Sequence, residues 1–579
     1  MENGEWGSEN GSRFYAAMIL EQSPRALSLM DRDAMSPTAG CCDRAYWAWK
    51  FVDFPGARFQ EALCALSFLY ATEIDGNPYF HNARLLEWIG LGLRFWSSIQ
   101  HRDGSFDEAY PFERSLAATA FTTFYVGEAL EFLGDHLSSD LRAGTQETMR
   151  RAGWWLARND ETHGFLSNHL AAAAAALHHV YRVTLEKSFA QRSRYFLDKI
   201  LDRQSSEGWY EEYGGADPGY QTHGSFYLAR VWQLTRDEQL MKSLCHSMSF
   251  LAHFAHPDGS LGGEYASRNT QTYYPAAFEM FASVDPAAAW IAETMRPSLG
   301  GGAAAGLRCI DAQNFFPCLN NLVFAYLATK SERTAPAPDE SSSRPGLVWF
   351  PEAGLARVRR EAFDAFVGTA KGGVIKVFDR ARNKLVYSDC GYIGRLNNGR
   401  LISTQYQDHA RKVRVEAERI EVEGVFLEVS RPTMTALRFT AFRLFTLSVG
   451  RLAVLGRWLK RRLVKVLIHN QRMARIHFKR VITFDDFSVC VRDEIGGPDG
   501  ADGGRVESIR WGESFSTIHM GSSRYFITNE LGLPAALNPV LDWDGAPDID
   551  PERIVKGVSL RRVVTFDQAA GGVCVSRSL

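Results

Sequence analysis

The chain has 579 residues, 45% of them hydrophobic and 23% charged, with a formal net charge of −2. That length predicts roughly two to four domains, and the composition is that of a globular protein. So small a net charge supplies no field to attract nucleic acid, and no apolar run reaches the ~18 residues a membrane span needs.

The 14 Trp and 20 Tyr suit a cleft for sugar rings, whose C–H faces stack on aromatic rings. Nine scattered cysteines without a C-x-x-C pair fit free thiols in a reducing compartment better than a disulfide framework or a zinc site. Residues 1–13 are polar and glycine-rich, with no apolar stretch of the signal-peptide kind. The expectation is a cytoplasmic protein, peripheral to a membrane if its basic segment binds one, with the periplasm as the alternative.

In chain order, residues 1–33 read as a loose lead-in. Residues 36–59 are dense in aromatics (Tyr46, Trp47, Trp49, Phe51, Phe54, Phe59), which predicts either a packed helix and turn or one wall of a sugar groove. From about residue 60 to residue 330 apolar side chains recur at three and four, as in Leu63, Leu66 and Leu69, the helical period. Four loops repeat a polar–Gly–apolar turn around Gly104, Gly164, Gly208 and Gly259, spaced by 60, 44 and 51 residues. A loop and helix pair repeated near that interval predicts an α/α toroid over 34–330, drawn as an incomplete barrel, with loops gathered at one end.

Ser331–Gly346 is rich in Pro and Ser and reads as a linker. Beyond it the period becomes two. Val374–Phe378, Leu385–Tyr387, Val413–Ala417 and a hairpin over Ile476–Ile495 turning at Asp485-Asp486 predict an antiparallel β-sandwich-like domain over 347–579. One segment breaks the pattern. Arg431–Phe484 holds thirteen Lys or Arg and no acid, and its amphipathic part predicts a basic helical insert near 431–470. That insert is either a solvated face or a contact for an anionic membrane or polymer.

The candidate chemistry lies in two stretches, Ser167–Leu170 and Asp217–Tyr220, each opening a helical run after a Gly-aromatic turn. Asn168, His169 and Tyr220 supply an amide, an imidazole and a phenol, which together can neutralise an anion, take a proton and return one. His223 follows on the second helix. The loop Gly263–Pro275 adds Glu264, Arg268 and Asn269, with Arg268 the candidate clamp for a carboxylate. Neither His253-x-x-His256 nor His178-His179 has a third ligand in sequence, so no metal or cofactor is expected, a structural metal in the β-rich half being left open.

Asn168-His169 opening an alanine-rich helix, Pro218-Gly219-Tyr220 about fifty residues on, and a β-rich second half together resemble the heparinase II/III-like polysaccharide lyases. The resemblance extends to the related alginate lyases and dermatan-sulfate epimerase. It implies an anionic, uronate-containing polysaccharide as substrate. Asn168 would neutralise the uronate carboxylate, His169 would act as base or charge partner, and Tyr220 as general acid/base. A further group is expected from the β-domain, where Tyr406 and His409 are the candidates for substrate contact. Cleavage by β-elimination and epimerisation at C5 need the same residues and both stay open. Hydrolysis by two of Asp103, Asp107, Glu211, Asp217 and Glu264 ranks lower, as does a non-catalytic binding role.

Overall fold

The computed structural model describes residues 8–162, 164–330, 344–429, 433–456, 472–496, 506–518, 525–527, 558–567 and 572–578. Its first half is helical. The helices are α1 (Ser8–Leu29), α2 (Ala62–Ala71), α3 (Ala83–Ser98), α4 (Leu116–Leu133), α5 (Ser139–Arg158) and α6 (Ser167–Thr184). They continue as α7 (Lys187–Leu201), α8 (Pro218–Thr235), α9 (Glu238–Ala252), α10 (Ala276–Phe281), α11 (Pro286–Gly301) and α12 (Ala312–Thr329).

The even-numbered helices form an inner ring, each packed on the next, and the odd-numbered ones pack outside them. Inner α4 and α6 are buried on nearly every side, which is why their sequences lack the polar stripe of a surface helix. Outer α3 and α7 keep one. The last inner helix returns to the first, with the Asn320 side-chain oxygen accepting from Ala65 N at 3.0 Å. The last and first helices of the inner ring, α12 and α2, are thus in contact.

The repeated turns are one structure used again. His101 N donates to Ser105 O and Gly104 N to His101 O, each at 2.9 Å; Ser205, Trp209 and Gly208 repeat the pattern at 3.0 and 2.9 Å. Gln100 and Gln204 brace the two turns against the carbonyls of Thr148 and Ser243. Gly104 and Gly208 have φ of +96° and +99°, and a Cβ on either would lie 2.2–2.4 Å from a carbonyl of the next outer helix. Only glycine meets both demands.

The lead-in is not loose. Tyr15, Ile19 and Ala26 of α1 and Met30 just after it are buried, and Tyr15 donates to Glu279 at 2.6 Å. Their spacing of four, seven and four is a helical stripe that the polar residues ahead of it obscured. The aromatic segment after it forms a single turn, Ala45–Trp49, with Trp49 and Phe51 turned to solvent. A second short turn follows at Ala57–Glu61; the segment is not a packed helix, and Arg58, but none of its aromatic side chains, lines the cleft described below.

The second half is two antiparallel sheets. One is a meander of β1 (Gly346–Phe350), β2 (Leu355–Arg359), β3 (Phe363–Gly368), β4 (Val374–Asp379) and β5 (Lys384–Asp389). The other contains β6 (Tyr392–Leu396), β7 (Leu401–Ser403), β8 (Lys412–Glu416), β9 (Arg419–Val429), β10 (Met473–Phe484) and β11 (Ser488–Gly496). It is completed by β12 (Val506–Trp511), β13 (Val558–Asp567) and β14 (Gly572–Ser578). Its order is β12-β6-β7-β9-β10-β11-β13-β14, with β8 beside β9. Alternate residues such as Val367, Ile375, Val422 and Val491 fill the space between the sheets. The hairpin turn falls at Asp485-Asp486 as the alternation predicted. Residues 331–343 of the expected linker lie outside the described residues, as do 431–432 and 457–471 of the basic insert. The rest of the insert contains α13 (Ala436–Leu447).

Candidate active site

All six inner helices begin at one end of the ring, and their first turns and preceding loops enclose a cleft of about 370 Å³. Arg58 enters before α2, Glu108 and Glu113 before α4, and Asn168 and His169 on the first turn of α6. Tyr220 and His223 come from α8, Thr270, Thr272 and Tyr274 from the loop before α10, and Gln313 and Asn314 from α12. Free N–H groups of a first turn carry partial positive charge, so a space ringed by helix N-termini favours an anion before side chains are counted.

A short pairing ties the two motif loops together. Leu166 bridges Glu212, Ser167 N donates to Glu211 O at 3.3 Å and Tyr213 N to Phe165 O at 3.1 Å. This sets Glu212 beside the start of α6. Its two carboxyl oxygens accept from Asn168 N (2.8 Å) and Asn168 Nδ2 (2.9 Å). Asn168 is thus not the N-cap that an Asn before an alanine run usually is; Leu166 occupies that position. Its amide is instead locked in one orientation at the cleft wall. Burial pushes the Glu212 carboxyl up to about 8, against the two bonds from Asn168.

His169 Nδ1 lies 2.7 Å from Glu161 Oε2, and the Glu161 carboxylate is almost fully enclosed. A carboxylate on Nδ1 selects the tautomer with its proton there, leaving the Nε2 lone pair for the cleft. Tyr220 is held through its backbone. Asp217 caps α8 by accepting from Tyr220 N (3.1 Å), and its other oxygen accepts from Arg268 N (2.7 Å). One buried carboxylate therefore joins the helix of Tyr220 to the loop of Arg268. His223 stacks on Tyr274 at 4.2 Å and hydrogen-bonds to Tyr227 at 3.0 Å. Burial holds it far below an ordinary histidine, so it is neutral.

Arg58 lies over Phe121 and pairs with Glu61 (2.8 Å) and Glu108 (3.2 Å). Burial works to raise the Glu108 pKa, but Arg58 and then His169 outweigh it and leave it lowered. Arg58 is the cation of the cleft floor, and no motif in the sequence announces it. Glu161 and Glu212 also went unmarked in the sequence, although a signal for them exists. Both lie in the repeat loops just ahead of an inner helix, where any side chain has a short reach to the cleft.

Of the residues expected to bind substrate, only His223 lines the cleft. Arg268 stands behind Tyr213, donating to its carbonyl at 2.9 Å with the guanidinium 4.4 Å over its ring. Glu264 pairs with Lys376 at 2.7 Å across the junction of the two halves. Asn269, also buried there, accepts from Lys371 at 3.0 Å and donates to Ser516. Tyr406 donates to the Glu428 carbonyl at 2.8 Å, within the β-domain. His409 bonds to Gln407 at the rim beside Gly214. Glu264 and Asn269 thus hold their loop against the sheets; a polar loop before a helix looks the same in sequence whichever way it faces.

Nor do Asp103, Asp107, Glu211, Asp217 or Glu264 line the cleft as a hydrolytic pair would. His256 is enclosed by Ser260 and Tyr265, and His179 by Glu128. Among the described residues no group of three or more His, Cys, Asp or Glu is placed to hold a metal ion. A larger hollow, about 710 Å³, lies against β8, β9, β10, β11 and β13 of the second sheet. Its Lys479 is already paired with Glu421 and Glu423, and it gathers no comparable amide, imidazole and phenol.

Residues 56–293 match the family model of the ulvan lyase N-terminal domain. No curated protein matches the chain. Among solved structures it is similar to chondroitin AC lyase from Streptomyces coelicolor A3 in complex with chondroitin sulphate. That similarity has TM-score 0.51 at 13% identity, over 86% of this chain and 68% of that one. A xanthan lyase from Paenibacillus aligns with TM-score 0.49 at 10% identity, over 85% and 46%. Heparan sulfate lyase HepC from Pedobacter heparinus aligns with TM-score 0.39 at 9% identity, over 85% and 75%. The family model thus covers the helical half, and the likeness of fold to the chondroitin AC lyase structure extends over both halves.

Proposed function

We propose that the protein is a polysaccharide lyase that cleaves a uronate-containing chain by β-elimination in the cleft at the helix N-termini. The observation that carries this reading is the convergence of Asn168, His169 and Tyr220 on one cleft, with buried Glu212 and Glu161 holding the first two side chains and buried Asp217 holding the backbone of the third. The family-model match and the lyases among similar structures agree with it.

The C5 proton of a uronate is weakly acidic because the neighbouring carboxylate is already negative. An uronate carboxylate seated against the Asn168 amide and the helix N-termini, with Arg58 below, can take up the charge that develops when the proton leaves. His169 Nε2 accepts the C5 proton, and the Glu161 carboxylate steadies the resulting imidazolium. The electron pair left on C5 forms the C4–C5 double bond as the C4–O4 bond breaks. Tyr220 donates its phenolic proton to the departing O4, and solvent restores that proton. The products are a new chain end and a 4,5-unsaturated sugar.

The test is incubation with chondroitin, heparosan, ulvan and alginate, following the ultraviolet absorbance of the unsaturated product. Wild type should generate it on at least one polymer, and Tyr220→Phe should not. Solvent deuterium entering C5 without shortening of the polymer would replace the lyase reading with a C5-epimerase. New reducing ends without unsaturation, or no change in any polymer, would reject proton abstraction at this site.

A further inference from the structure

The feature that this chemistry leaves unused is the arm of the β-domain, residues 433–456. It lies against the toroid. Phe442 meets Tyr110 edge-on at 5.1 Å, and Arg443 pairs with Asp53 at 3.0 Å and lies over Phe54. Farther on, Arg451 covers Phe112, and its carbonyl accepts from Arg114 at 2.7 Å. These contacts flank Glu113 of the cleft.

At about 100° per residue, Phe442, Arg443 and Thr446 share the docked face of α13, and Leu437, Leu444 and Leu447 fall on the opposite one. Those three leucines are 81%, 67% and 41% exposed. A surface helix ordinarily turns polar residues outward; α13 turns leucine outward. Leu452 and Val454 extend the exposed apolar surface. On the toroid, Trp49 and Phe51 are 69% and 95% exposed, in the turn that leads to Asp53 and Phe54, the residues Arg443 touches. Both halves of the molecule thus raise bare apolar side chains along one rim.

Charge selects the occupant. In sequence, residues 433–465 carry eight cations and no acid, five of them just past residue 456; Arg443 and Arg451 face the toroid, and Lys479 and Arg480 farther on are paired within the sheet and add nothing to this surface. A soluble polyanion answers that charge but leaves the leucines in water. An apolar protein groove covers the leucines and leaves the cations unanswered. An anionic bilayer offers both, a plane of phosphates with hydrocarbon beneath. We propose that residues 433–456 and the Trp49–Phe51 turn form a docking surface for an anionic lipid bilayer. The chain lies on the surface, since no described helix is long and apolar enough to cross a membrane.

The experiment is flotation of the full chain with phosphatidylcholine vesicles, with and without about one-third phosphatidylglycerol. The double variant Leu437→Ser/Leu444→Ser and, separately, Phe51→Ser are compared with wild type, with circular dichroism to check folding and light scattering to give mass. Wild type should float only with the anionic vesicles, less in about 0.5 M salt, and each variant should lose about ten-fold in partitioning at unchanged mass. Absence of flotation, equal flotation with neutral vesicles, or variants that float like wild type would overturn the proposal. A dimer lost in the double variant would assign the face to a second copy of the chain. Altered retention of a uronate polymer without flotation would assign it to substrate.

Discussion

Replacing Asp217 with alanine removes a side chain that is fully buried and serves three backbone donors. The first is Tyr220 N, the capping bond of α8, and loss of such a cap costs about 1 kcal/mol. The second is Arg268 N at 2.7 Å, a bond to a carboxylate worth about 1.5–3 kcal/mol. Thr270 N, at 3.5 Å, adds little. Since no water reaches this position, both amides are left unpaired, and the expected loss is about 3–5 kcal/mol. Asp217→Asn keeps one oxygen for the cap but sets an NH2 group against a donor at Arg268, so about half that loss is expected. Urea unfolding, followed by circular dichroism and tryptophan fluorescence, gives both values. A cost below about 1 kcal/mol for alanine would refute the argument that one carboxylate fastens the Tyr220 helix to the Arg268 loop. Equal losses for the two variants would refute its division into a cap and a clamp.

Tyr220→Phe should cut turnover by about 10³-fold while polymer binding persists, because only the transferable proton is removed; loss of binding instead would contradict its role. Glu161→Gln should lower kcat by about 10–100-fold with little change in KM, since Gln holds the His169 ring but no longer balances its charge. An unchanged kcat would separate Glu161 from the chemistry. Burial holds the Lys371 amine down to about 7, against 10.5 for an ordinary lysine. Between those values the unfolded chain binds the extra proton. The stability from this site is therefore full above the unfolded value and is lost as pH falls toward 7. Urea midpoints at about pH 7 and pH 9 should differ more for wild type than for Lys371→Met, and equal differences would refute the assignment. Gly208→Ala should destabilise by about 2 kcal/mol or more, as its Cβ meets the His246 carbonyl at 2.4 Å. Gly164→Ala, with nothing within 4 Å, should cost less, and the reverse order in thermal melts would contradict the repeated-turn packing.

Much of the architecture was legible because it is local. A period near 3.6 marked the helices of the first half, and a period of two marked the strands of the second. The glycine turns carried their own spacing, and the same backbone bonds recur at Gly104, Gly208 and Gly259. Asn168, His169 and Tyr220 were legible for a related reason: each is in the first turn of an inner helix, and in a toroid those turns meet. The helix α1 was hidden because its apolar stripe is sparse and follows a polar stretch.

The sequence by itself determined which segments coil, which extend and which three side chains open the helices around the cleft, because these depend on neighbours a few residues away. Only the tertiary structure decided what each of the three leans on. Glu212 reaches Asn168 from 44 residues along the chain, and Arg58 reaches Glu108 across 50. It also turned Glu264 and Asn269 into the junction with the β-sheets and set Arg268 behind Tyr213, rather than into the cleft. Periodicity fixes the face of an element on which a residue lies; what that face meets depends on how the ring closes and where the sheets dock.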